Sequence, residues 1–240
     1  MQKLFKLINE KKGLGQGSLF GTGKPPLIPP CQGGEKTATP LTRGARGVIT
    51  FDEILKLYEE SWIDDWYESK EKKQARKKQG REILKIFYEK YKNSWPEVLF
   101  LEKGFNLKIA DPLAKVGTGG KDIYTVRGVI DRIDKTNDGI KLVDYKTGQA
   151  KEKLSFTEKE QLFIYQLAAN ELFKEPVSGL AFYYLDNNSE VEFSASAKDL
   201  EKIKAKIIST IKEIGRGEFP AKAGKICDWC DYRSICEYRA

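Results

Sequence analysis

The triplet Asn137–Asp138–Gly139 does most to limit how this chain can fold. It separates two runs rich in apolar and β-branched residues, 123–134 (IYTVRGVIDRID) and 140–148 (IKLVDYKTG). Asn, Asp and Gly tolerate the positive backbone angles of a tight hairpin, so the two runs are predicted to be neighbouring strands. A third run, 97–109, precedes them, and two more, 178–186 and 189–195, follow around an Asn–Asn turn. Apolar residues at helical spacing fill 2–12, 70–93, 157–174 and 197–214, the last ending near Gly215. A further helix begins near residue 51 and carries Ile54, Leu55, Tyr58, Trp62 and Trp66. Thr50 with Glu53 and Thr157 with Glu160 read as capping boxes. The order is helices, three strands, helix, two strands, helix and a cysteine-bearing tail. It predicts an α/β fold, a mixed sheet flanked by helices.

Residues 13–48 interrupt this pattern with nine of the 21 glycines and five of the nine prolines. They read as a flexible or extended loop, too long for an ordinary connection in a compact domain. The predicted organisation is a helix fragment at 1–12, the Gly/Pro-rich loop at 13–48, a core at 49–220 and a Cys-rich tail at 221–240.

The net charge of +7 suits a polyanionic partner such as nucleic acid. The chain has no histidine, which excludes Ser-His-Asp and Cys-His catalysis and any His-ligated zinc site. Polar chemistry must use carboxylates, lysines, tyrosines or thiols. No signal-peptide pattern and no membrane-length apolar run is present, so a cytoplasmic location is expected. Of the four cysteines, Cys227, Cys230 and Cys236 crowd into the tail, while Cys31 lies in the loop. That spacing, without a signal peptide, argues against a secreted disulfide framework.

Alternation along a strand places Asp144 and Lys146 on one face and turns Val143 and Tyr145 the other way, into the core. The hairpin brings Asp131 on the preceding strand toward Asp144. Two adjacent carboxylates repel unless a cation lies between them, and Mg²⁺ or a similar hard ion binds through such oxygens. A nearby lysine would help orient or deprotonate a water and stabilise phosphate charge. Spacing alone also fits a solvated strand face with a weak salt bridge. Gln161 and Tyr165, four apart, share one face of the next helix.

Four segments in this order, GVIDRID (128–134), VDYKTG (143–148), QLFIY (161–165) and CDWCDYRSIC (227–236), resemble the RecB-type nucleases of the PD-(D/E)xK superfamily. The similarity runs from about residue 50 to the end of the chain. It implies a restriction-endonuclease-like αβββαβ core that hydrolyses DNA, exonuclease-like, in repair or recombination. Asp131 and Asp144 would be Mg²⁺ or Mn²⁺ ligands with the Tyr145 backbone carbonyl, and Lys146 the catalytic lysine. Gln161 and Tyr165 would be the helix motif that completes the site. Cys227, Cys230 and Cys236 would be three of four ligands to a [4Fe–4S] cluster, with zinc as the alternative. The implied partners are DNA and a UvrD/Rep-type helicase, in the same or a separate polypeptide.

Two departures are visible. The family's upstream helix supplies a histidine or glutamate to the metal and is preceded by the first cluster cysteine. Here no histidine exists, and Cys31 lies after the first helix. MQKLFKLINEKK resembles the stretch just after the missing motif, so the expectation is an N-terminal truncation. The competing expectation is a catalytically impaired DNA-binding module that keeps the nuclease fold.

Overall fold

The computed structural model describes residues 1–12, 49–63, 67–112, 123–151 and 153–238. Cys31, Trp66 and the 13–48 loop lie outside them. The elements in chain order are α1 (Gln2–Lys12), α2 (Phe51–Ser61), α3 (Lys70–Tyr91), β1 (Val98–Ala110), β2 (Ile123–Thr136) and β3 (Gly139–Lys146). They continue with α4 (Phe156–Leu172), β4 (Val177–Tyr184), β5 (Ser189–Phe193), α5 (Ala197–Arg216) and a short 3-10 turn at Lys225–Trp229.

The five strands form one sheet in the order β1-β2-β3-β4-β5. β1, β2 and β3 pair antiparallel, β3 and β4 parallel, and β4 and β5 antiparallel. The parallel step needs a crossover, and α4 provides it. The expected hairpin closes with Thr136 opposite Gly139, whose φ is 138°. The Pro176 carbonyl lies where a side chain on Gly139 would sit, so glycine is needed there for both angle and space.

Two apolar layers sandwich the sheet. On one face Leu162, Phe163 and Ala169 of α4 and Ile203 of α5 pack against Ile133, Leu142, Leu180 and Phe182. On the other, Phe5 and Ile8 of α1, Ile54 of α2 and Phe87 of α3 pack against Val143, Ala181 and Tyr183. Each fully buried side chain of this size is worth about 1.5–3 kcal/mol, so α1 is an integral part of the core. Among the described residues no helix is long and apolar enough to cross a membrane.

Three expected boundaries move. α4 starts earlier, capped by Ser155 with Glu158 as its box partner, while Glu160 instead reaches Lys206 of α5 at 2.6 Å. Ser155 and Thr157 both precede a Glu by three residues, and burial of Leu162 and Phe163 fixes which frame the helix takes. α5 runs two residues past expectation, to Arg216, and is closed by Gly217, whose φ of 70° makes it the left-handed cap. Trp62 caps the end of α2 at its C-terminus and is not inside the helix.

Candidate active site

Antiparallel pairing sets Arg132 opposite Val143, so one step further Asp131 and Asp144 face each other across β2 and β3. The Tyr145 backbone N–H donates to Asp131 Oδ2 at 3.0 Å, fixing that carboxylate against the neighbouring strand. Asp144 is 1% exposed, and Lys146 Nζ lies 2.7 Å from its Oδ2. Lys146 in turn donates to Gln161 Oε1 at 2.6 Å, and Gln161 Nε2 donates to the Tyr165 hydroxyl at 2.8 Å. Asp144, Lys146, Gln161 and Tyr165 thus form a linked chain of side chains from β3 and α4, with the Tyr165 phenol in the field of the Asp144 carboxylate. The structure therefore brings together Asp131, Asp144, Lys146, Gln161 and Tyr165.

The electrostatics follow from the packing. Burial raises the Asp144 pKa above the ordinary carboxylate range, the Lys146 ammonium opposes the shift, and the Asp131 charge adds to it. Burial pushes the Tyr165 phenol up to about 12, so it stays a neutral donor at physiological pH. The end of β3 is fixed by two bonds: Leu185 N–H donates to the Lys146 carbonyl at 2.9 Å, and Gly148 N–H donates to the Asp186 side-chain Oδ2 at 3.1 Å. Gly148 takes a φ of 91°, which lets the chain turn sharply after the lysine.

A cleft of about 340 Å³ opens beside Asp131, lined by Met1, Leu101, Glu102, Tyr145 and Leu185 as well. Sequence patterning did not single out Glu102. It lies in β1 with a φ of 49°, a conformation unusual for a non-glycine strand residue, and borders the same cleft as Asp131. Its backbone angle carries no sequence signature. Arg132 was also missed. It is buried on the reverse face, where it donates to the Tyr145 hydroxyl at 2.7 Å and lies 3.0 Å from Asp134. Tyr145 is thus clamped by its ring on one side of the sheet while its backbone serves the site on the other.

The donor set suits a hard divalent cation: two carboxylates within interaction distance, with solvent access at half-buried Asp131. Among the described residues no group of three or more His, Cys, Asp or Glu side chains is gathered to hold a metal ion. A cation here would complete its shell with water and substrate phosphate, as Mg²⁺ commonly does. The tail differs: Cys227, Cys230 and Cys236 are free thiols that do not converge on one point. Only Cys227 shows local organisation, its sulfur accepting from Gly224 N–H at 3.4 Å.

Residues 42–237 match the family model described as the PD-(D/E)XK nuclease superfamily. No curated protein matches the chain. A solved structure titled "Crystal structure of SSO0001" superposes with a TM-score of 0.40 at 15% identity, over 79% of this chain and 95% of that one, a likeness too loose to carry an argument.

Proposed function

The chain belongs to the PD-(D/E)XK nuclease superfamily, and on that premise we propose that it is a metal-dependent deoxyribonuclease of the RecB type. The observation that carries this reading is the facing pair Asp131 and Asp144 with Lys146 two residues on, tied to Gln161 and Tyr165. Asp131, Asp144 and the Tyr145 carbonyl are the ligands we assign to Mg²⁺ or Mn²⁺. When bound, such an ion supplies Lewis-acid polarisation of the scissile phosphate and lowers the pKa of a water. The residues of the chain do the rest. Lys146, about one-third exposed, extends from the buried carboxylate toward solvent, where it can orient the attacking water and offset phosphate charge. Gln161 holds that ammonium in place through its oxygen. Tyr165, kept neutral, accepts from the Gln161 amide and so steadies the side chain that positions Lys146.

The finer parts of the proposal rest on the motif resemblance. They are exonuclease-like action, a role in repair or recombination, and a UvrD/Rep-type helicase partner in the same or another polypeptide. For the tail we assign Cys227, Cys230 and Cys236 as three of the four ligands of a [4Fe–4S] cluster or alternatively zinc, on the strength of the C-x₂-C-x₅-C spacing. Iron, sulfide and zinc content after anaerobic purification separates these two from an empty tail.

A second reading is favoured by one observation: the chain has no histidine, and among the described residues no third acid is gathered at the centre. It is a DNA-binding module without turnover. The deciding assay is cleavage of single- and double-stranded DNA with Mg²⁺ or Mn²⁺, against EDTA and Asp144→Ala and Lys146→Ala controls. Metal-dependent cleavage lost in both variants establishes the enzyme. Binding without cleavage in the wild type establishes the module.

A further inference from the structure

We propose that the N-terminal half of α3 is a rigid basic arm that tracks the sugar–phosphate backbone of DNA outward from the active site. The nuclease reading identifies the partner; the arm itself rests on separate observations. Residues 70–81 carry seven basic side chains against Glu71 alone, a net +6 within a chain whose total is +7. Like charges recur at i,i+4, as in Lys72/Arg76, Lys73/Lys77 and Arg81/Lys85, an arrangement that disfavours a helix and is relieved only in part by Glu68 beside Lys72 and Glu59 beside Lys77 and Arg81. A helix needing only solubility would interleave the two signs. One-signed charge retained at a cost to stability fits a polyanion surface.

The structure also fixes where the arm points. Asn188, just past β4, donates to the Ile83 carbonyl at 2.9 Å. Leu84 shares a small cleft with Met1, and Met1 lines the cleft that holds Asp131. Met1 thus links the Ile83–Leu84 end of the arm to the cleft that holds Asp131. Residues 70–82 continue beyond that end by about 1.5 Å each, roughly 20 Å in all. At 3.4 Å per nucleotide, that spans about six phosphates of one strand.

α2 braces the arm. Glu59 takes Arg81 at 2.6 Å and pairs with Lys77, and the Tyr58 hydroxyl donates to the Lys77 carbonyl at 3.1 Å. Tyr58 packs so closely on Gly80 that a side chain there would meet its ring. Trp62 and Tyr67 stack at 5.7 Å beside Lys77, which gives the base of the arm an aromatic floor. With Lys77 and Arg81 committed to the brace, exposed Lys70, Lys78 and Lys85 have no ion-pair partner among the described residues. At 100° per residue they fall within about 80° of one another, a single stripe for phosphate.

The test is fluorescence-anisotropy titration of a labelled 20-nucleotide DNA and its duplex, in EDTA so that cleavage plays no part, at several salt concentrations. For K70E/K78E/K85E, the slope of log affinity against log salt is expected to fall by about three relative to wild type. A control variant with exposed lysines of the α4/α5 side reversed, K174E/K198E, is expected to keep the wild-type slope. Circular dichroism confirms folding, and K70Q/K78Q/K85Q, which adds no repulsion, must move the slope in the same direction. An unchanged slope in the arm variants, or an equal fall in the α4/α5-side variant, overturns the proposal. Metal-dependent cleavage is scored separately, so the arm can fail while the nuclease reading stands, and the reverse.

Discussion

Two ion pairs, each spanning two positions of a strand, lie on opposite faces of the same sheet. On the α1–α3 side, Arg132 and Asp134 are 1% and 3% exposed and sit 3.0 Å apart. The Phe5 ring covers the guanidinium at 4.9 Å, and Tyr145 accepts its hydrogen bond. On the α4 side, Asp144 is just as buried, but its partner Lys146 keeps 35% of its side chain in solvent. Both pairs put desolvated carboxylates in an apolar sheet, and burial raises both Asp134 and Asp144 above the ordinary carboxylate range. One pair is sealed and can act only on the fold. The other leaves an ammonium and a half-buried second acid, Asp131, facing a cleft, so its unrelieved electrostatics are open to a ligand.

Breaking the open pair has the largest expected effect, and on activity. Asp144→Asn or Lys146→Ala should lower metal-dependent DNA cleavage by roughly 10³-fold or more, about 4 kcal/mol of barrier. The melting temperature should hold, because Asp144→Asn removes a buried charge and Lys146 can hydrate. Breaking the sealed pair does the opposite. Arg132→Met leaves Asp134 buried without its partner and should cost about 3–5 kcal/mol in denaturant unfolding. The double variant Arg132→Met/Asp134→Leu should recover most of that loss, since apolar packing often replaces such a pair at little cost. Tyr165→Phe should reduce cleavage roughly fivefold, the loss of the one neutral hydrogen bond that steadies Gln161 against Lys146, without altering the melting temperature.

The smallest effect belongs to a third carboxylate, half-buried at the N-terminal cap of α4 and a member of neither pair. Glu158 is held at about 2 by the Lys151 ammonium first and by the Ser155 backbone and hydroxyl. A folded-state value below the unfolded one contributes stability above the unfolded value of 4.5, and that contribution is lost as pH falls toward about 2. Glu158→Gln should therefore lower the melting temperature slightly at pH 7 and leave it unchanged near pH 2.

The open pair was legible in the sequence because its geometry is local. Period-two alternation and one Asn-Asp-Gly turn suffice to face Asp131 toward Asp144, and helical spacing pairs Gln161 with Tyr165. The sealed pair was not, because its meaning is long-range: Arg132 makes sense only against Phe5, 127 positions away, and Tyr145 on the next strand. The same limit hid Glu102, whose backbone angle is set by its place in β1. It also misplaced the start of α4, where two Ser/Thr–Glu frames compete locally and core packing decides. The basic run of α3 went unread in the sequence, because its setting depends on the bonds of Ile83 to Asn188 and of Tyr58 to Lys77.

The most direct test of the central claim is the rate of Mg²⁺- or Mn²⁺-dependent DNA cleavage by Asp144→Asn, measured beside the wild type at a temperature where both are folded by circular dichroism. The expected result is cleavage by the wild type that EDTA abolishes, and none above background by the variant. Cleavage that survives in folded Asp144→Asn, or is absent from the wild type with either metal, would contradict the assignment of this face of the sheet to phosphodiester hydrolysis.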